Sequence, residues 1–175
     1  MKNIKLAACI GIPLFISAIS TAQQQASPAP APELKKLDYF VGTWNTEGQT
    51  KPSPYGPGGS FTSTDRIAWQ KGNYFVIGNA EFNTPMGAGT ELSVMGYDRN
   101  AKAYTYESFN SQGEHEMATG TLDGDTWNWS SGSQSPFKWR FTEKVVSPTS
   151  FTMKFEVSPD GTNWVTVLEG KSNKQ

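Results

Sequence analysis

Cysteine is nearly absent from this chain. Cys9 is the only one in 175 residues, and it lies inside an N-terminal apolar run. If that run is cleaved off, the mature chain has no disulfide, thiolate nucleophile or cysteine metal site, and packing alone must hold the fold. Histidine is equally scarce. His115 stands alone, which excludes a catalytic triad, a histidine metal cluster and a histidine pair. Basic clusters are missing as well, so neither nucleic acid nor an anionic membrane surface is expected as a partner. The sequence has no phosphate-binding glycine loop, no acidic metal-binding loop and no nucleophile elbow.

A membrane span would need about 20 apolar residues. The run Leu6 to Ile19 is shorter and is broken by Pro13. With Lys2 and Lys5 ahead of it and the small residues Ser20-Thr21-Ala22 behind, it reads as a secretory signal cleaved after Ala22. The sequence therefore predicts a periplasmic or secreted protein with no membrane span after cleavage. Leu6-Ala7-Ala8-Cys9 has the residue types of a lipoprotein box, but it lies too early, because the apolar run continues beyond the cysteine. Removing Lys2 and Lys5 leaves 13 basic residues against 16 acidic ones. Residues 23–32 (QQQASPAPAP) have nothing to bury and read as an extended linker, followed by one domain over 33–172.

What is present in quantity is ring side chains, glycine and proline: six Trp, six Tyr and ten Phe with 17 Gly and 11 Pro. Rings fit a pleated surface, while Gly and Pro punctuate it, so the class is all-β. Leu34, Leu37 and Phe40 or Val41 fall at helical spacing and predict a short N-terminal helix capping one end. Strand-like runs follow at 41–50, 61–70, 73–83, 90–98, 102–110, 113–122, 125–131, 136–146, 150–158 and 162–171. Most connections have hairpin chemistry. So many short sequential strands would leave two exposed edges unless the sheet closed, which predicts a single antiparallel up-and-down β-barrel of about ten strands. Two longer Gly/Pro-rich connections, 51–60 and 83–89, read as lids, rims or plain turns at a barrel mouth.

Side chains alternate faces along a strand, so each turn length sets which residues look inward. A two-residue turn at Asp123-Gly124 sets Ala118 opposite Trp129 and Gly120 opposite Trp127. A three-residue turn at 111–113 sets Ala118 opposite Tyr106 and Gly120 opposite Tyr104. Tyr104, Tyr106, Trp127 and Trp129 then share the inner face with Leu92, Val94, Gly96, Ile67, Trp69, Tyr74, Val76, Ala80, Phe82, Phe137, Trp139, Phe141, Phe151, Met153, Phe155, Val165 and Val167. Arg140 and Glu156 pair on the outer face, an exposed contact worth at most about 1 kcal/mol. Inward polar groups are few: Asp65 opposite Gly78, Ser108 opposite Glu116, and Glu169 opposite Phe151. An inward carboxylate must be near a mouth, hydrogen-bonded or neutralised. His115 falls on the outer face opposite Phe109, which argues against a haem ligand. No cofactor is expected.

Several motifs together resemble a known family. They are Leu34-Lys-Lys-Leu37-Asp-Tyr-Phe40-Val-Gly42-Thr-Trp44, Arg66-Ile-Ala-Trp69 with Gly72, Pro85-Met86-Gly87, Gly96-Tyr97-Asp98 with Tyr104, and Gly120-Thr-Leu-Asp-Gly124. The set is similar to the bacterial domain-of-unknown-function 1579 family over about Glu33 to Lys171. That resemblance implies a calycin-like or nitrobindin-like barrel. Gly42-Thr43-Trp44 is also similar to the Gly-x-Trp signature of lipocalins, in which an Arg from the chain's far end packs over the Trp. The last strand here offers Lys171 in its stead. Nitrobindin-like haem barrels carry a His near the C-terminus, and this chain has none after His115, so haem is not carried over.

The sequence thus predicts an exported barrel that binds a small apolar or aromatic molecule. Trp69, Tyr74, Tyr104, Tyr106, Trp127, Trp129 and Trp139 would form its wall, with Asp65, Glu116 and Glu169 as orienting groups. Gly42 and Trp44 are assigned a structural role as the plug of the barrel floor. Two other functions compete: acid–base catalysis by a carboxylate and tyrosine, with Asp65 or Glu169 as base, and a filled barrel that binds another protein.

Overall fold

The structure is a computed structural model that describes residues 29–133, 135 and 137–175. The predicted signal segment and most of the linker lie outside the described residues. A 3-10 helix over Pro32–Tyr39 leads into ten strands: β1 (Gly42–Thr50), β2 (Gly59–Trp69), β3 (Val76–Thr84), β4 (Gly87–Asp98), β5 (Ala103–Asn110), β6 (His115–Asp123), β7 (Thr126–Ser131), β8 (Lys138–Ser147), β9 (Ser150–Ser158) and β10 (Val165–Lys174). Every strand pairs with its sequence neighbours, and β1 pairs antiparallel with β10, closing the barrel. Closure removes both edges, the physical reason so many short strands are stable together.

The helix seals one end. Leu34, Leu37 and Phe40 are buried against Trp127, Tyr104, Val76 and Met95. Four polar ties from the floor hold the seal in place. Tyr104 donates to the carbonyl of Glu33 (3.1 Å), Trp69 Nε1 to Asp38 Oδ1 (2.7 Å), Trp44 Nε1 to the carbonyl of Phe40 (2.7 Å), and Tyr39 to the carbonyl of Ser150 (2.9 Å). Each aromatic thus buries its body and satisfies its polar tip, as a buried Trp or Tyr must. Burial pushes the Tyr39 hydroxyl up to about 12.

Trp44 is 1% exposed, with its ring 5.0 Å from that of Phe151 and 5.4 Å from that of Tyr39. Lys174 covers it: the ammonium lies 4.9 Å from the indole centroid and donates to the carbonyl of Tyr39 at 2.9 Å. The cation over the Trp is therefore Lys174. Lys171 pairs with Glu47, three residues before the inward end of the strand. Gly42 has φ +134°, and a Cβ there would come within 3.3 Å of the Lys174 stem. The glycine is required both by its backbone and by the lysine that passes it.

Most of the predicted parity holds, and the departures have local causes. Tyr104 faces Gly120 and Tyr106 faces Ala118 as expected. The next turn is Gly124-Asp125, so Gly120 faces Trp129, Leu122 faces Trp127 and Ala118 faces Ser131. That slip of two residues keeps the rings on the inner face. Asp65 faces Ala80, with Gly78 opposite Ile67, another slip of two.

Three expectations are overturned. Leu92, Val94 and Gly96 face outward, because the β4–β5 connection has four residues: Asp98 pairs with Ala103, and Asp98 Oδ1 accepts from the amides of Asn100 and Ala101. Met95, Ser93 and Glu91 take their inward places. Glu169 faces outward opposite Lys154, because a bulge between Thr166 and Leu168 shifts β10 by one residue. Its carboxylate meets Lys51 at 2.6 Å, so it is not an orienting group inside the barrel. Tyr74 belongs to the β2–β3 turn before β3 begins, beside Gly72, and is not part of the inner wall.

Candidate functional site

Above the floor, the inner wall carries a second layer of rings: Tyr106 on β5, Trp129 on β7, Trp139 and Phe141 on β8, and Phe155 on β9. Trp129 lies 5.9 Å from Tyr106 and stacks on Trp127 at 5.9 Å and 7°. Phe155 lies 5.6 Å from Trp139 and 6.2 Å from Phe141. At this height the inward residues Ser63, Asp65, Ala80, Glu91, Tyr106, Glu116, Phe141 and Phe155 are only part-buried. This half of the interior is therefore less completely covered than the half beneath the helix.

Trp129 lies flat because the strand beneath it has no side chain. A Cβ on Gly120 would come within 2.4 Å of the indole ring. Gly120→Ala is expected to lift Trp129 and cost about 1–3 kcal/mol. Urea unfolding followed by near-ultraviolet circular dichroism measures this, and an unchanged midpoint with an unchanged Trp127–Trp129 signal contradicts it.

Four carboxylates face this space, each bonded to a neutral donor. Ser63 donates to Asp65 at 2.6 Å, Tyr106 to Glu91 at 2.6 Å, Trp139 Nε1 to Glu116 at 3.1 Å and Trp129 Nε1 to Glu143 at 2.9 Å. Desolvation raises Asp65 and Glu91 above the ordinary carboxylate range, against the opposing effect of their hydroxyl donors. Glu143, fully buried, is pushed up to about 7, chiefly by desolvation, with the Trp129 donor pulling down and the charge of Asp65 pushing up. Tyr106 lies well above 10 through burial and then the charge of Glu91. Asp65 and Glu116 were expected from the sequence. Glu143 was not, although the alternation Phe137, Trp139, Phe141 leads straight to it two residues on. Glu91 was hidden by the length of the β4–β5 turn.

The expected wall divides into two groups. Trp69, Tyr104 and Trp127 belong to the sealed floor with Trp44, whereas Tyr106, Trp129 and Trp139 form the next layer with Asp65 and Glu116, Trp129 and Trp139 being buried in the same core cluster as Trp127. Over the mouth, the 51–58 connection leans across: Tyr55 meets Phe137 with ring centroids 5.9 Å apart, spanning the ends of β9 and β10. His115 lies on the outer wall, stacked on Phe109 at 4.5 Å and bonded to Glu107 at 2.8 Å. Two open grooves of about 600 and 370 Å³ run along β2–β5. The second is lined by Arg66, Asn79, Glu81, Leu92 and Phe109 together with Ala80 and Glu91; the first includes Phe82, and neither is lined by Tyr106, Trp129, Trp139, Phe141 or Phe155. The convergent chemistry is inside.

A closed ten-stranded antiparallel barrel, covered by a helix at one end and floored there by a Gly-x-Trp plug under a C-terminal cation, is a lipocalin-like fold. The chain belongs to the DUF1579 family, whose model is described as a protein of unknown function and matches residues 29–174. The fold is similar to that of Rv2717c from M. tuberculosis, with a TM-score of 0.60 and 13% identity over 83% of this chain and 99% of that one. It is also similar to the S-type phycobiliprotein lyase CPES from Guillardia theta, with a TM-score of 0.56 and 9% identity over 81% of this chain and 91% of that one. No curated protein matches the sequence.

Proposed function

We propose that this protein is an exported binding protein that takes a small, mostly apolar or aromatic molecule through the open mouth into the barrel. The observation that carries the reading is the division of the interior. One half is packed solid by the helix and its aromatics, while in the other Asp65, Ala80, Glu91, Tyr106, Glu116, Phe141 and Phe155 are only part-buried, next to the buried rings of Trp129 and Trp139. Apolar area with a few placed hydrogen-bonding groups is what a small-molecule site requires. A phycobiliprotein lyase, an enzyme named for its action on a pigment protein, is built on a similar barrel, which supports ligand binding as a use of this architecture. Export is proposed from the N-terminal signal pattern.

Titration with N-phenyl-1-naphthylamine, a neutral fluorescent probe, tests the reading. Saturable one-to-one enhancement is expected, together with displaced indole N–H resonances of Trp129 and Trp139 and an unmoved resonance of Trp44. Ala80→Phe, which extends a ring from β3 into the open half, is expected to weaken binding at least tenfold. Absence of saturable binding overturns the proposal, as does binding indifferent to Ala80→Phe.

A further inference from the structure

We propose that the 51–58 connection is a strap that gates the barrel: it lies shut across the mouth away from the helix, and its tip must lift off Phe137 for a molecule to enter or leave. The inference rests on the binding reading above for its purpose and adds how entry to that same site is controlled.

Two contacts carry the strap across the mouth instead of along its rim. The ring of Tyr55 meets that of Phe137, the residue just before β8. A Cβ on the next residue of the strap, Gly56, would come within 3.3 Å of the sulfur of Met86, in the turn that joins β3 to β4. In the closed order of the barrel, β3 and β8 stand five strands apart whichever way round they are counted. Adjacent residues of one loop therefore touch opposite sides of the mouth. Phe137 ties the strap to the interior as well, because it packs against the core cluster that contains Trp129 and Trp139.

The strap is built as a stiff tip on a narrow neck. Ser53 and Gly56 exchange backbone hydrogen bonds at 3.0 and 3.2 Å, and the Tyr55 amide donates to Ser53 Oγ at 3.2 Å. These bonds lie within the tip and travel with it. At the neck, the Lys51 amide donates to the carbonyl of Val167 at 2.9 Å, and the Thr50 hydroxyl is shared between the carbonyls of Pro57 (3.1 Å) and Gly59 (3.0 Å). Gly58 lets the two legs meet, since a Cβ there would come within 2.5 Å of Pro52. The tip thus pivots on one narrow contact, with anchored legs behind it, as a hinged lid requires. The latch is light by contrast. Tyr55 and Met86 are both exposed, so lifting the tip gives up one aromatic pair and a shallow sulfur contact, while the bonds of the neck and of the tip are kept.

Thiol alkylation reads the gate without any ligand. Ser108→Cys places a thiol at a buried inward position of β5, in the half beneath the strap, and Ser172→Cys places one at a buried position of the floor half, beside Thr46. Reaction of each with N-ethylmaleimide is followed by peptide mass. Tyr55→Ala is expected to speed alkylation in the Ser108→Cys background about three- to tenfold, the factor that one aromatic pair is worth, and to leave the Ser172→Cys rate unchanged. Tyr55→Phe, which keeps the ring, is expected to react as the parent does. With N-phenyl-1-naphthylamine, Tyr55→Ala should speed association and dissociation by that same factor and leave the Kd unchanged. Alkylation at position 108 that ignores Tyr55→Ala, or that rises in step with position 172, overturns the gate whether or not the probe binds. A weakened Kd with an unchanged association rate overturns it as well and makes Tyr55 a wall contact. Alkylation that shifts as stated with no probe bound overturns the binding reading and leaves the gate standing.

Discussion

Trp44→Ala is expected to destabilise the barrel by about 3–5 kcal/mol, a large share of the 5–15 kcal/mol that holds a typical domain together. The indole fills the centre of the floor, so truncation leaves a cavity between Phe151 and Tyr39 and orphans the carbonyl of Phe40. It also removes the ring beneath the Lys174 ammonium. The helix is held partly through Trp44, so its docking should weaken too. For a domain of this size the melting temperature should fall by on the order of 10 °C. Affinity for a ligand in the open half, measured where both forms are folded, should change little. Equal melting temperatures refute the assignment of Trp44 as the floor plug, and a large loss of affinity at unchanged stability would move the site to the floor.

Glu143→Gln is expected to stabilise the protein above neutral pH. The carboxyl ordinarily titrates at 4.5 and in the fold at about 7. Between those values the folded state binds more protons than the unfolded state, so stability falls as pH rises. Glu143 thus contributes nothing unfavourable below about pH 4.5 and its full penalty above pH 7, on the order of 3 kcal/mol for such a shift. Asp65 and Glu91 are raised as well and tilt the curve the same way over their own windows. Glu156 is lowered by the hydrogen bond from Arg140, then by Lys154, so its contribution is present above the ordinary 4.5 and lost at acid pH. The wild type should therefore lose stability between about pH 5 and 7.5. Glu143→Gln should flatten that decline, since an amide oxygen still accepts from Trp129. Urea midpoints across this range measure the effect, and a variant that is less stable than wild type at pH 8 contradicts it.

Much of the barrel could be read from the chain because its cause is repeated at every strand. Alternating rings and turn residues specify strand after strand, and closure follows from the need to remove edges. The Gly42-Thr43-Trp44 plug was equally readable. The errors fall where one residue decides a face. Asp98 caps a four-residue turn by accepting two backbone amides, and that single extra residue exchanges Leu92 and Val94 for Glu91, Ser93 and Met95. A bulge near Val167 turns Glu169 out toward Lys51. Neither leaves a periodic signal, since turn length and bulges are set by contacts with a neighbouring strand. The proposed site was half visible for the same reason: the inward places of Tyr106, Trp129, Trp139, Asp65 and Glu116 follow from parity. Glu143 required following β8 past its last ring into a charged stretch that looked like the strand's exposed end.

A barrel that binds a small molecule in the half away from the helix should carry one when it leaves the cell that made it. Native mass spectrometry of the protein purified without denaturation from its own cells tests it most directly. A population heavier than the bare chain by one small molecule is expected, released on unfolding and absent from the Ala80→Phe variant. A barrel that is bare in its own cells would contradict the claim, and so would a bound mass that survives Ala80→Phe.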